Sequence, residues 1–401
     1  MWNLNKGIWA LVGAQFWSAF GDQMMFFIVI AIISKQHNSD SLFILIAQSA
    51  FLVSYIIFCP YVGRIGDRFP KKYVLMTGNG LKAFGILLAF FAVNPVLSYF
   101  VVGMGAVIYM PAKYGILPVL SRDDDVLMKA NAAVEGGTLL AILFGGVAGE
   151  YIAAQSIDLS LAVCFAILMF SMLLNFAIPR NEGNKSIVFP INPFSFVAMS
   201  LRGFASDMKT VFTTSVSRFC VMGTATFWTS STVLRMILLV WLPLHLGIDQ
   251  GHGQSVMLAL TGIGVAIGSF LAPLFITIKT YSRTIIAGVL MAVSIALLAF
   301  ISGGYIITAL ILVLIGVFGG VFFVPLNATL QDMGERSIGA GCAVASQNWL
   351  EFSAMFSGIL LYMAADNMKF NIDNVILGGV ILQLLLMLVM SKTAKIIKRN
   401  S

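Results

Sequence analysis

Charge is scarce in this 401-residue sequence: Asp, Glu, Lys and Arg make up 10% of it, against about 25% in soluble globular chains. That shortage excludes a water-soluble fold. Cysteine is scarce too. Cys59, Cys164, Cys220 and Cys342 stand singly, in or beside apolar runs. Neither a disulfide framework nor a metal-ligand cluster is encoded, and the four read as small buried hydrophobes. Only three histidines occur, His37, His245 and His252. His245-x-x-x-Asp249 falls one residue short of a His-x4-Asp acyltransferase pattern, and no compact catalytic constellation appears elsewhere. An enzyme, a cofactor and a bound metal are therefore not expected. Nor is a cleavable signal peptide, because the first apolar run is too long for an h-region and no small-residue cleavage site follows it.

What the sequence has in quantity is apolar length. Hydrophobic residues make up 59% of it, and the mean hydropathy is +0.95. About 20 apolar residues in a helix cross a hydrocarbon core of ~30 Å. Twelve such spans are read at approximately 8–34, 42–62, 73–93, 97–119, 128–150, 158–178, 217–245, 255–277, 284–302, 305–328, 338–363 and 375–392. The expected fold is an all-α membrane protein with twelve transmembrane helices in two pseudo-symmetric six-helix bundles. Basic loops stay on the cytoplasmic side. One side collects Lys6, Arg64, Arg68, Lys71, Lys72, Arg122, Lys129, Arg180, Lys185, Arg202 and Lys209, then Lys279, Arg283, Arg336, Lys392, Lys395, Lys398 and Arg399. The other side keeps only Lys35 and Lys369. Both termini are expected in the cytoplasm. The net charge of +7 is a topology signal and not a nucleic-acid footprint. The acidic run Asp123-Asp124-Asp125 sits on the basic side, which the rule permits because acidic residues contribute little to it.

Six spans, a more polar connection and six more spans give the coarse layout: 1–179, 180–212 and 213–401. The connection holds Asn181-Glu182-Gly183-Asn184, Pro190 and Pro193, then a stretch from Phe194 to Phe212 mixing Phe, Val and Met with Arg202, Asp207 and Lys209. That stretch suits either a helix at the cytoplasmic interface or an ordinary, partly helical linker. The halves echo one another. Phe16-Trp17-Ser18 matches Phe227-Trp228-Thr229, Phe58-Cys59-Pro60 resembles Leu271-Ala272-Pro273, and Tyr109-Met110-Pro111 resembles Phe323-Val324-Pro325. Steady offsets point to a duplicated six-helix unit, the plan of many secondary transporters, with substrate bound near the midplane between repeats.

Six ionisable residues fall inside the spans away from their ends: Asp22, Lys82, Lys113, Glu135, Arg235 and Glu351. Even on a lenient scale each costs roughly 2.5–3.5 kcal/mol at mid-bilayer. Polar neighbours at helical spacing accompany them: Gln15 and Ser18 with Asp22, Asn79 with Lys82, Asn131 with Glu135, Ser231 and Thr232 with Arg235, Gln347 and Asn348 with Glu351. Such stripes face a cavity or another helix. The repeat offset sets Arg235 opposite Met24, half a turn from Asp22. Lys113 and Glu135 lie nearer the cytoplasmic end, at depths that suit a pair. A packing role through neutral ion pairs competes with a binding role for all six.

Between the second and third spans stands Gly63-Arg64-Ile65-Gly66-Asp67-Arg68-Phe69-Pro70-Lys71-Lys72. It resembles the cytoplasmic signature of the major facilitator superfamily, Gly-x-x-x-Asp-Arg-x-x-[Arg/Lys]-[Arg/Lys]. The resemblance implies a cytoplasmic gate of Gly63, Asp67, Arg68, Lys71 and Lys72, with Asp67 toward the N-terminal end of the eleventh span, where a helix dipole favours an anion. The equivalent later loop, Lys279-Thr280-Tyr281-Ser282-Arg283, lacks the motif. Within the superfamily, further stretches resemble the bacterial lysophospholipid transporter family. They are Ala14-Gln15-Phe16-Trp17-Ser18-Ala19-Phe20-Gly21-Asp22, Pro111-Ala112-Lys113-Tyr114-Gly115-Ile116-Leu117, and Lys129-Ala130-Asn131 with Glu135. Others are Leu234-Arg235 with Trp241-x-Pro243, Val324-Pro325-Leu326-Asn327-Ala328, and Gln347-Asn348 with Glu351 and Ala354-Met355. Gln23 departs from the Asn expected there. The resemblance implies the major facilitator fold and flipping of lysophospholipids from the outer to the inner leaflet of the bacterial inner membrane. It also implies partnership with membrane lipids and with a cytoplasmic-face acyltransferase/acyl-carrier-protein synthetase. That enzyme is fused to some relatives and is not expected within this sequence. A zwitterionic headgroup needs an anion for its ammonium and a cation for its phosphate, which Asp22 and Arg235 supply. Gln15, Ser18, Asn79, Lys82, Lys113, Glu135, Gln347, Asn348 and Glu351 are the supporting candidates. The competing readings are a proton-coupled exporter of drugs or metabolites and a non-transporting partner subunit. The fifth span, with Gly136-Gly137 and Gly145-Gly146, lacks the Gly-Pro element of superfamily antiporters.

Overall fold

The computed structural model describes residues 4–37, 41–121, 123–180, 182–248, 252–300 and 304–400. Arg122, Asn181, Asp249 and Gly303, and the side chains of His37, His252, Lys395, Lys398 and Arg399, lie outside the described residues. The helices are α1 (Lys6–His37), α2 (Ser41–Arg68), α3 (Lys71–Phe90), α4 (Pro95–Gly115), a single turn α5 (Leu117–Leu120), α6 (Asp124–Gln155) and α7 (Ile157–Asn175). After the polar connection come α8 (Pro193–Thr213), α9 (Ser215–Leu246), α10 (His252–Phe275), a 3-10 turn (Ile278–Arg283), α11 (Thr284–Phe300), α12 (Gly304–Glu335), α13 (Ala340–Asn367) and α14 (Ile372–Asn400). No strand occurs among the described residues.

Among the described residues, eleven helices are long and apolar enough to cross a membrane. The expected eleventh span, 338–363, is the one missing from these, and it is present as α13, whose 28 residues are long enough to cross. It falls short in hydropathy because Gln347, Asn348 and Glu351 interrupt its apolar surface. Several helices run beyond their apolar spans, as α12 does to Glu335.

Local chemistry sets the helix ends. The acidic run expected merely to be tolerated has a structural job. Asp123 caps α6, its carboxylate accepting from the Val126 amide at 2.8 Å, while Asp124 and Asp125 occupy the first turn, where the helix dipole favours negative charge. Asn94 accepts from the Val96 and Leu97 amides at the start of α4, with Pro95 in the first helical position. Gly247 ends α9 at φ +62°, a left-handed position that favours glycine.

The chain divides into two compact units. The first comprises Met1–Ala130, Leu140–Thr210 and Gln331–Trp349; the second comprises Asn131–Leu139, Val211–Leu330 and Leu350–Ser401. In the first, α1 and α3 both pack on α7, and α4 packs on α2 and α3. In the second, α9 and α11 both pack on α14. The pairing of first and third helices with the sixth is thus repeated, as a duplicated plan requires. Internal prolines repeat likewise: Pro60 in α2 with Pro273 in α10, and Pro111 in α4 with Pro325 in α12. Gly264 and Gly268 of α10 meet the α12 backbone at Gly316 and Gly320 so closely that any Cβ would collide with it. Lipid gives helices little hydrophobic reason to associate, and close backbone approach at small residues supplies the packing instead.

Candidate functional site

In the first unit, the polar stripes of α1 and α3 meet. Lys82 of α3 donates from Nζ to Asp22 Oδ2 of α1 at 2.6 Å and to Ser18 Oγ at 2.8 Å. Ser18 donates to Asn79 Oδ1 at 2.8 Å, Asn79 Nδ2 donates to Ser171 Oγ of α7 at 2.9 Å, and Ser171 donates to the Ala14 carbonyl at 2.6 Å. The Lys82 ammonium also lies 4.9 Å from the centre of the Tyr109 ring, a cation–π distance. The relay therefore joins three helices and α4 around one ion pair. Its two ends differ: the Lys82 side chain is 2% exposed and the Asp22 side chain 23%. Asp22 Oδ1 has no hydrogen-bond partner, so half of the carboxylate is uncommitted.

The sequence placed Asp22, Ser18, Asn79 and Lys82 among the candidates, and the structure brings all four together. Gln15, one turn from Ser18 on α1, is buried. Sequence reasoning missed Ser171 and Tyr109. A lone serine in an apolar helix gives no signal, and Tyr109 reads as part of the Pro111 repeat match. Lys113 is buried with its Nζ 3.9 Å from the centre of the Tyr114 ring.

In the second unit, Glu135 of α6 is buried and accepts from Asn327 Nδ2 of α12 at 3.4 Å. Asn327 belongs to the Val324–Ala328 stretch, just beyond the proline of α12. Arg235 behaves differently. Its side chain stands on the exposed surface of α9, and it has no hydrogen-bond or ion-pair partner among the described residues. On α13, Glu351 is buried in this unit, while Gln347 and Asn348 are buried in the first unit, and Asn348 Nδ2 has no hydrogen-bond partner. The second unit also holds an apolar crevice of about 720 Å³ between α9, α13 and α14. Thr229, Val233, Gly358, Tyr362, Gly379 and Gln383 are among its walls.

The loop motif is built around Asp67, in the first unit. Asp67 Oδ1 accepts from Lys71 Nζ at 2.7 Å and from the Gly341 amide at 2.9 Å, and Oδ2 accepts from the Cys342 amide at 3.0 Å. Gly341 and Cys342 open α13, so the carboxylate caps that helix where its free amides and dipole favour an anion. Lys71 also donates to the Gly66 carbonyl at 2.7 Å. Gly63 is required by close approach: a Cβ there would lie 2.9 Å from the Cys342 Cα. Lys72 donates to the Phe176 carbonyl at 2.6 Å, and the Arg68 guanidinium lies 5.9 Å from the centre of the Phe69 ring.

Two contacts here were not foreseen. The Asn184 amide donates to the Asp67 carbonyl at 2.8 Å, and Arg64 pairs with Asp207 of α8 at 3.1 Å. Burial pushes the Asp207 carboxyl above the usual carboxylate range, against the pull of Arg64 and a hydrogen bond from Cys342. In the sequence, Asp207 was one polar residue in a mixed stretch; only the fold reveals its partner.

Long apolar helices in repeated sets, holding ionisable side chains inside them, define a membrane secondary transporter. The model of the Major Facilitator Superfamily matches residues 11–358. The lysophospholipid transporter LplT of Yersinia pestis (strain Pestoides F) is 38% identical over 361 residues, covering 90% of this chain and 86% of the relative. LplT of Yersinia pseudotuberculosis serotype O:3 (strain YPIII) matches at the same identity and coverage. The chain belongs to the Major Facilitator Superfamily, within the lysophospholipid transporter family. Among solved structures, the human organic anion transporter MFSD10 shares the fold at TM-score 0.73 and 13% identity, over 96% of this chain and 100% of that one. A bacterial homologue of the iron transporter ferroportin, in its outward-facing state, does so at TM-score 0.71 and 17% identity, over 98% and 100%. At such identities the likeness is one of fold alone.

Proposed function

We propose that this protein transports lysophospholipids of the lysophosphatidylethanolamine kind from the outer to the inner leaflet of the bacterial inner membrane, by alternating access. Reacylation by an acyltransferase at the cytoplasmic face would consume the cargo. In this reading the duplicated halves, 1–179 and 213–401, rock about the linker 180–212, with both termini in the cytoplasm. The observation that carries the reading is a pair of uncommitted charges, in a chain whose named relatives are lysophospholipid transporters. Asp22 Oδ1 is unpartnered beside Lys82, and the Arg235 guanidinium is free of partners among the described residues. An ethanolamine ammonium meets Asp22, sharing the carboxylate with Lys82 or displacing it. Arg235 presents its planar fork to the phosphate, forming two parallel charge-assisted hydrogen bonds. Gln347, Asn348 and Glu351 of α13 bind the glycerol hydroxyl and the remaining headgroup atoms. Lys113 and Glu135 line the path toward the basic side.

The acyl tail takes the crevice of the second unit. Its volume lies within the ~300–1,000 Å³ of ordinary ligand sites, and the stretch of α14 from Asn374 to Leu386 that supplies its wall rises about 18 Å, the length of a long acyl chain. Asp67, with Gly63, Arg68, Lys71 and Lys72, forms the cytoplasmic gate by holding the start of α13.

Reconstitution of the purified chain in liposomes, with Asp22→Asn and Arg235→Gln made separately, tests the assignment. Loss of lysophosphatidylethanolamine transport in each is expected. Wild-type transport in both variants removes these residues from the site, and no transport by the unaltered chain removes the function itself.

A further inference from the structure

Helix α8 has three faces where a surface helix of a soluble protein has two. At about 100° per residue, Phe194, Val197, Leu201, Ala205 and Met208 fall on one narrow stripe. Phe194, Val197 and Leu201 are 86%, 40% and 46% exposed. A second face carries Ser195, Arg202, Ser206 and Lys209, all exposed. The third face, with Phe196, Ser200, Phe204 and Asp207, turns inward: Ser200 and Asp207 are buried. Phe196 stacks on Tyr61 of α2 with ring centres 6.2 Å apart, Phe204 meets Trp349 of α13 edge-on at 6.0 Å, and Asp207 pairs with Arg64 of α2 at 3.1 Å. One side of the helix therefore binds protein, one is fit for water, and one is apolar and uncovered.

We propose that α8 is seated in the bilayer interface on the basic side of the protein. Its stripe dips into the acyl chains of that leaflet, and Arg202 and Lys209 lie among anionic headgroups. The occupant of the stripe follows from its neighbours. Tyr61 and Arg64 stand in the last turns of α2 and Trp349 stands ten residues into α13; both helices cross or lie within the membrane, so the surface beside them is lipid. An amphipathic helix with basic residues beside its apolar stripe binds such an interface in the plane of the leaflet. Bilayer and protein then grip two adjacent faces of one helix, and Asp207 with Phe204 joins the leaflet to α2 and α13, the two helices that Asp67 also joins. The inference holds whatever the cargo.

Spin labels at Val197→Cys, Leu201→Cys, Arg202→Cys and Phe204→Cys, one at a time in lipid nanodiscs containing phosphatidylglycerol, test it directly. Collision with oxygen, which concentrates in lipid, and with a water-soluble nickel chelate reports the surroundings of each label. Labels at 197 and 201 are expected to favour oxygen, the label at 202 nickel, and the label at 204 neither. Nickel-dominated labels at 197 and 201 would mean that the stripe lies in water and overturn the seat. Protection from both reagents at 197 and 201 would mean that protein, a second copy or a partner, covers it, and would also overturn it. Removing phosphatidylglycerol is expected to weaken the oxygen preference at 201, and Arg202→Gln to reduce that lipid's effect about fivefold.

Discussion

Asp22 of α1 and Arg235 of α9 occupy corresponding helices of a duplicated plan, yet their own units treat them in opposite ways. Asp22 is tied into a relay that runs through Lys82, Ser18, Asn79 and Ser171 to the backbone of α1. Arg235 is tied to nothing among the described residues. A charge inside a membrane helix is tolerated either because its own fold neutralises it or because something else does so during function. The first charge has an architectural use in its unit, to which the proposed site adds a functional one; the second has no architectural partner among the described residues of its unit. Substitutions at the two positions should therefore fail in different ways.

The largest effect is expected at Lys82. Replacing it with Met leaves the Asp22 carboxylate without its counter-ion, and breaking a buried pair from one side costs about 3–5 kcal/mol. Thermal unfolding in detergent should show a marked fall in Tm, with transport abolished. Adding Asp22→Asn to Lys82→Met removes the orphaned charge, so Tm should recover while transport stays lost. An additive double variant would deny that the two side chains act as a pair.

Arg235→Gln sharpens the contrast. Tm should change little, because surface substitutions away from structural partners usually stay within about 0.5 kcal/mol. Transport should fall about ten- to a hundred-fold, the value of hydrogen bonds to a charged group. Initial rates at equal protein in liposomes give this figure. A large fall in Tm would show that Arg235 has a structural partner.

The two loop regions form a smaller version of the same comparison. The first-half loop uses Asp67 to cap α13, whereas its counterpart between α10 and α11 is a 3-10 turn closed by a Thr277–Thr280 capping box. Asp67→Asn should destabilise by roughly 1–3 kcal/mol and shift the balance toward cytoplasmic opening. Lys279→Gln should do neither. Cross-linking of cysteine pairs on the basic side would report the shift.

The smallest effect is expected at Asp207. Its carboxyl is raised by burial, so the folded state holds that proton more tightly than the unfolded chain. The stability it contributes is full in acid and fades as pH rises through the raised value. At neutral pH Asp207→Asn should therefore unfold no lower than the unaltered protein. The difference between the two should shrink as pH falls toward the ordinary carboxylate range.

Much of the fold was legible because apolar length and helix punctuation are local properties. Each of the twelve expected spans falls largely on a helix of the structure, and the paired prolines at 60 and 273 and at 111 and 325 marked the duplication in the sequence. The candidate cluster was legible in its members but not in its pairing. Helical spacing put Gln15 and Ser18 beside Asp22 and Asn79 beside Lys82, but no one-dimensional pattern says that α1 and α3 turn these stripes toward one another. Ser171 and Asp207 were hidden for the same reason, since each takes its meaning from a residue more than ninety positions away. Asp123-Asp124-Asp125 shows the opposite error, a local capping signal read only through its loop charge.

In the proposed site a zwitterionic headgroup is held by its ammonium at Asp22 and its phosphate at Arg235. The most direct measurement compares transport of lysophosphatidylethanolamine and lysophosphatidylglycerol, which lacks the ammonium, by the unaltered chain and by Asp22→Asn in liposomes. The unaltered chain is expected to favour lysophosphatidylethanolamine and Asp22→Asn to lose that preference, falling far more for this lipid than for lysophosphatidylglycerol. An Asp22→Asn variant that keeps the same preference would contradict it.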